Sequence, residues 1–211
     1  MRHVHRSLAV GFLALLLSGC FGSAASPSAG EPSSAPVTPS AGGSMSAVPT
    51  ASQSATTEPI PSEDLGPFTC DLPIHVDATV ALANLTATRI GEHDEYDRVV
   101  FEFEQGIPEV SIERAEPPFT EDASGKPLEV DGSSFLRITM RGGTAQMEDG
   151  SSSYDGPSAY DPEFETLTAL VRGGDFEAQS TWYVGMTNEA CIRIGVLTDE
   201  GAPRLVIDLE H

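Results

Sequence analysis

Lysine is almost absent. Lys126 is the single one in 211 residues, and all cations together number 11 against 32 acids, a formal net charge of -21. Binding nucleic acid requires clustered Lys and Arg to neutralise phosphates, so that class of partner is excluded. A basic helix lying on a membrane surface is excluded by the same shortage. Long hydrophobic runs are missing as well: the run from Leu8 to Leu17 has ten residues, whereas a helix across a ~30 Å hydrocarbon layer needs about 20. Histidine is scarce, with only His75, His93 and His211 beyond the first twenty residues. Beyond those twenty residues no HExxH, His-x-His or Cys-His spacing is present, so a zinc hydrolase lacks its ligands. The GxSxG elbow, the phosphate-cradling glycine loop and the dinucleotide fingerprint are missing too. No catalytic residue, metal or cofactor is therefore assigned, and the chain reads as a protein that is not an enzyme. Two carboxylates alone suffice for glycoside hydrolysis, but a chain this acidic holds such pairs by chance, and surface solvation accounts for them.

What is present begins with an address. Arg2 and Arg6 precede the ten-residue apolar run, and Leu17-Ser18-Gly19-Cys20 follows it. Charge, length and small residues before a cleavage point have the form of a secretory signal over residues 1–19. The Cys supplies a thiol able to carry lipid. The segment resembles the bacterial lipobox, which implies cleavage before Cys20 and its thioether lipidation; the competing reading is an ordinary signal with a chance Cys. Multiple acyl chains, each buried CH₂ contributing ~0.8 kcal/mol, hold a protein on a membrane. The expected location is the extracytoplasmic face of the cell membrane, with the lipid as anchor.

Residues 20–64 are Ser, Ala, Pro, Thr and Gly with few exceptions. They have neither a helical nor a strand period and too little apolar surface to offset the entropy of ordering. They read as a disordered tether with a root-mean-square span of roughly 35–40 Å.

From residue 65 to 211 the apolar residues alternate, the mark of half-buried strands. Val99, Phe101 and Phe103 alternate with Arg98 and Glu102; Val110 and Ile112 with Ser111 and Glu113; Leu136, Ile138 and Met140 with Arg137, Thr139 and Arg141. A run from Phe176 through Trp182 to Val184 follows the same rule, as do Ile192 to Val196 and Leu205 to Leu209. Further strands are expected around Asn84–Ile90 and Leu167–Val171. Gly142-Gly143 and Gly173-Gly174-Asp175 read as turns. No stretch carries a helical stripe. The expected fold is an all-β antiparallel β-sandwich of about 8–9 strands, acting as a monomer.

Cys70 and Cys191 remain. In an oxidising compartment two cysteines read as a disulfide; a free nucleophilic Cys with His75 or His93 as its base is the sharper alternative. The acidic loop from Glu148 to Glu163 is the one candidate ligand segment. Tyr154 and Tyr160 offer faces for a sugar ring, and Asp155 and Asp161 offer carboxylates beside them. Its spacing does not match an EF-hand, and the plainer reading is a long mobile connection. Trp182 falls on the apolar face of its strand and reads as core.

The runs Glu95 to Phe103 and Pro203 to Asp208, with Gly174-Asp175-Phe176-Glu177 and Trp182-Tyr183-Val184-Gly185-Met186, resemble the AMIN-like domain of actinobacterial lipoproteins. The resemblance covers roughly residues 78–211. It implies a β-sandwich and a non-catalytic envelope module that contacts peptidoglycan; it brings no catalytic residues. Within these runs, Arg98 and Arg204 are expected to pair with Asp97 and Asp208 as structural ion pairs near the surface. The alternative function is a protein–protein module of an envelope complex, using a sheet edge or the acidic surface.

Overall fold

The computed structural model describes residues 65–198 and 201–211. The signal (1–19), Cys20 and the tether (20–64) lie outside the described residues. The described residues contain no α-helix; they are strand, turn and loop.

Thirteen strands follow in order: β1 (Ile74–Val76), β2 (Ala83–Glu92), β3 (Tyr96–Phe103), β4 (Glu109–Ala115), β5 (Phe119–Thr120), β6 (Pro127–Leu128), β7 (Ser134–Arg141), β8 (Gly143–Thr144), β9 (Ala159–Tyr160), β10 (Leu167–Phe176), β11 (Gln179–Met186), β12 (Ile192–Leu197) and β13 (Arg204–Glu210). Four of them, β5, β6, β8 and β9, have only two residues. The remaining nine carry the sandwich, in line with the alternation. One sheet runs β1-β4-β7-β11-β10-β9, the other β12-β13-β3-β2-β8, and β5 and β6 form a small hairpin of their own. All pairings are antiparallel except the short one between β2 and β8.

Period-two patterning places one side chain in two between the sheets. Val99, Phe101 and Phe103 from β3 and Leu205, Ile207 and Leu209 from β13 meet Leu136, Ile138 and Met140 from β7 and Trp182, Val184 and Met186 from β11. Phe101 and Trp182 join the two sheets edge to face, with ring centroids 5.4 Å apart.

Two sequence expectations are corrected here. Gly173-Gly174 is not a turn but lies inside β10, where the register with β11 slips between Arg172 and Gly174. The chain reverses four residues later, at Glu177 (φ 52) and Ala178 (φ 57). The alternation from Phe176 to Val184 therefore runs across a hairpin and not along one strand. Two adjacent left-handed residues form the tight turn whose twist suits a hairpin, although neither is Gly or Asn. The glycines were needed instead for the bulge, where the loop after β5 crosses: Asp122 N–H donates to Gly173 O at 2.9 Å.

Residues 65–73 form a strap. Leu65 packs on Val100, Val206 and Leu197, which lie on the outer face of the five-stranded sheet. Gly195 makes room for it, since a Cβ there would overlap Leu65 Cδ2. Thr69 then bridges to Ile192 at the edge of β12, and Cys70 and Cys191 are joined as a disulfide with Cα atoms 4.2 Å apart. Beyond it the chain turns the edge of the sandwich and enters the other sheet as β1, beside β4.

Candidate functional site

The six-stranded sheet turns a polar outer face to solvent. Cross-strand register puts one residue of each strand in line, because directly opposed side chains share a face. His75 lies opposite Ser111, Ser111 opposite Thr139, Thr139 opposite Thr181, and Thr181 opposite Gly174. Three hydroxyls on β4, β7 and β11 thus form a floor between an imidazole and a glycine. From β1 to β11 this row spans roughly 14 Å.

The rows on either side are charged. Glu109, Arg141 and Gln179 stand in line on one side, and Glu113, Arg137 and Tyr183 on the other. All of these residues but Tyr183 and Gly174, together with Asp122 over the β10 bulge, line a groove of about 340 Å³. Arg137 is held firmly, donating from Nε to Glu113 Oε1 at 3.0 Å and from NH2 to the same oxygen at 2.5 Å. Its hydrogen bonding to Glu113 outweighs the opposing effect of burial and, with the Glu113 charge adding to it, raises the Arg137 pKa. Arg141 is held loosely, 3.6 Å from Glu109, with side chains 71% and 53% exposed. Beyond Arg137 the face closes: Phe119 of the β5–β6 hairpin packs on Tyr183 at 4.6 Å and on Phe135 at 5.1 Å. The Tyr183 hydroxyl is raised above its ordinary pKa, first by burial and then by Asp122.

A second depression lies among Leu82, Asn84, Gln105, Gln146 and Glu148. Its amides are committed to one another: Gln105 Nε2 donates to Asn84 Oδ1 at 3.2 Å, and Asn84 Nδ2 to Gln146 O at 3.1 Å. They tie β2 to the loop after β8 and leave little capacity for a ligand.

The acidic loop does not behave as its sequence reads. Tyr154 and Tyr160 are 5% and 8% exposed and belong to the core. The Tyr154 hydroxyl donates to Pro157 O at 2.6 Å and that of Tyr160 to Thr88 O at 2.7 Å. Buried rings have no face for a sugar, so the tyrosine contacts expected from sequence are corrected. Asp155 and Asp161 stay exposed beside them, without the tyrosine platform they were expected to flank. The segment is also tied down: Ser153 donates to Leu85 O at 2.8 Å and β9 pairs with β10. Among the described residues no group of three or more His, Cys, Asp or Glu is arranged to hold a metal ion.

Of the two carboxylates expected as partners, Arg98 takes Asp208. Arg98 does not pair with Asp97, because adjacent strand residues point to opposite faces. Asp208 lies opposite Arg98 on β3 and Arg193 on β12. It accepts from Arg98 Nε at 2.6 Å and NH2 at 2.8 Å, and from Arg193 Nε at 2.7 Å. Arg193 is also sandwiched between the rings of Phe68 and Tyr96, 4.5 and 4.6 Å from their centroids. His93 stacks on Tyr96 at 4.5 Å, and its pKa is lowered, first by burial and then by Arg98. Asp97, fully buried, instead accepts the backbone N–H groups of Thr166 and Leu167 at 2.8 and 2.7 Å. It fixes the entry of β10. These charges are buried and structural, not surface pairs. The groove is what sequence reading missed, since its signal lies in the pairing of strands and not in any one of them.

No curated protein and no solved structure matches the chain. Residues 83–211 match the AMIN-like domain, and that stretch takes in β2 to β13 and every residue of the groove except His75. With more than half its length matched, the chain belongs to the AMIN-like domain family.

Proposed function

We propose that this protein is a lipid-anchored, non-catalytic module that binds peptidoglycan through the groove on its six-stranded sheet. Membership of the AMIN-like family supports a cell-envelope, peptidoglycan-associated role. The observation that carries the reading is the in-register hydroxyl floor of Ser111, Thr139 and Thr181 between two Arg–Glu rows. Hydroxyls and charges lined up in an open groove suit a long polar ligand lying across the strands, not a small apolar one buried in a pocket. The strap enters on the outer face of the opposite sheet, away from the groove.

Sedimentation of the full chain with insoluble peptidoglycan tests this. The protein pellets with the wall material, and Thr139→Trp, which fills the floor, lowers the bound fraction at least tenfold while the single buried Trp182 and the fold are retained. Chelator leaves binding unchanged, because the contacts are made by side chains. Cys20→Ser moves the protein from the membrane to the soluble fraction without changing its affinity for peptidoglycan. Failure of the wild type to pellet overturns the wall-binding reading; unchanged fractionation of Cys20→Ser overturns the anchor.

A further inference from the structure

Resting on the wall-binding reading, we infer that the groove takes the peptide part of the polymer and not its sugars, and that the row Glu109, Arg141 and Gln179 sets this specificity. The groove offers no free phenol or indole face. Tyr154 and Tyr160 are in the core and Tyr183 is covered by Phe119, so the C–H side of a sugar ring has only the exposed His75 imidazole at the β1 end to meet. What the groove has is charge in stripes. β4 presents Glu109 and Glu113, and β7 presents Arg137 and Arg141 directly opposite them. Neighbouring strands lie ~4.8 Å apart. Neutral glycan makes no use of two parallel stripes of opposite sign. A short peptide with both a free carboxylate and a free amine uses both: guanidinium takes the carboxylate in a forked hydrogen bond, and the glutamates take the ammonium.

The two charged rows are not equivalent. Arg137 is the more tightly held of the two, donating twice to Glu113 at 2.5 and 3.0 Å, so its row yields to a ligand less readily. Arg141 stands 3.6 Å from Glu109, beyond hydrogen-bond length, and both side chains are mostly exposed. Exposed pairs of this kind gain little from each other, so both partners exchange readily onto a ligand. Gln179, next in line after Arg141, offers an amide to the ligand's own peptide bond. The hydroxyls of the floor hydrogen-bond to the same backbone.

The test is competition against sedimentation of the full chain with intact insoluble peptidoglycan. One competitor is the mixture of peptides freed from it by an amidase; the other is the glycan strands left without peptides, with the lactyl carboxylates that this cleavage frees capped as methylamides so that the strands are neutral. The freed peptides displace the protein, and the bare strands at equal mass do not. Arg141→Ala weakens sedimentation at least tenfold, Arg141→Lys recovers part of the loss, and neither alters the thermal unfolding transition. Displacement by bare glycan strands, with or without displacement by peptides, overturns the inference and leaves wall binding standing. Wild-type affinity in Arg141→Ala overturns the role of that row. No sedimentation of the wild type with intact peptidoglycan removes the wall-binding reading and this inference together.

Discussion

Asp208 sits between two guanidiniums with none of its surface exposed. A buried carboxylate is tolerable only when its lone pairs are filled, and here Arg98 and Arg193 fill them from the two flanking strands. Removing it strips Arg98, itself 2% exposed, of two charge-assisted hydrogen bonds in a buried site. Asp208→Ala is therefore expected to cost about 3–5 kcal/mol, read as a drop in the urea midpoint followed by Trp182 fluorescence. The tyrosines set the alkaline limit. The Tyr160 hydroxyl is raised well above the ordinary tyrosine value of 10.0, chiefly by burial, and Tyr183 is raised for the same first reason. In the unfolded chain both ionise near pH 10; in the folded chain they hold their protons longer. The folded state thus binds more protons above that pH, and its stability falls as pH rises past about 10. Tyr160→Phe should start less stable at neutral pH by about 1 kcal/mol, through loss of the Thr88 hydrogen bond. It should then lose less between about pH 9 and 11, so the two midpoint curves converge.

Among the elements, the strap is the least visible in the sequence and among the most consequential in the fold. It seals Val100 and Val206 under Leu65 and joins the two sheets along one edge. The disulfide at its centre spans a sequence separation of 121, and by the chain-entropy model is worth roughly 4–5 kcal/mol. The double variant Cys70→Ser, Cys191→Ser should lower the urea midpoint accordingly, with proteolysis of the strap and β1 preceding global unfolding. The strands themselves were legible because alternation is a local property. Val99-Phe101-Phe103 or Leu205-Ile207-Leu209 declares its buried face without reference to any neighbour. The cysteine pair was legible from number and compartment. Misreadings occurred where distant chain decides local state. Gly173-Gly174 looks like a turn until the loop carrying Asp122 is seen to cross it. Tyr154 and Tyr160 sit among Ser, Asp and Gly, yet the loop folds inward over β2 and β10. The groove was invisible for the same reason, since Ser111, Thr139 and Thr181 become neighbours only through register.

At the scale of the whole molecule, charge governs approach. The chain carries -21, and a wall bearing anionic polymer repels it over a distance set by salt. The screening length falls from ~30 Å at 0.01 M to ~8 Å at 0.15 M and ~3 Å at 1 M. Long-range repulsion is relieved first, while contacts within the groove, only a few ångströms long, survive until screening becomes very short. Binding to peptidoglycan should accordingly rise from low to physiological ionic strength and fall again toward molar salt. Sedimentation across a sodium chloride series reads this out; a steady decline from the lowest salt would mean that attraction, not repulsion, dominates the encounter.

The stapled edge has a mechanical meaning. Tension arriving along the chain ahead of Leu65 meets a covalent bond at Cys70 and passes through Cys191 to the start of β12, within the five-stranded sheet. The strands of the groove are spared that load. Under the proposed anchoring, the load enters the five-stranded sheet and the grooved sheet stays free of it.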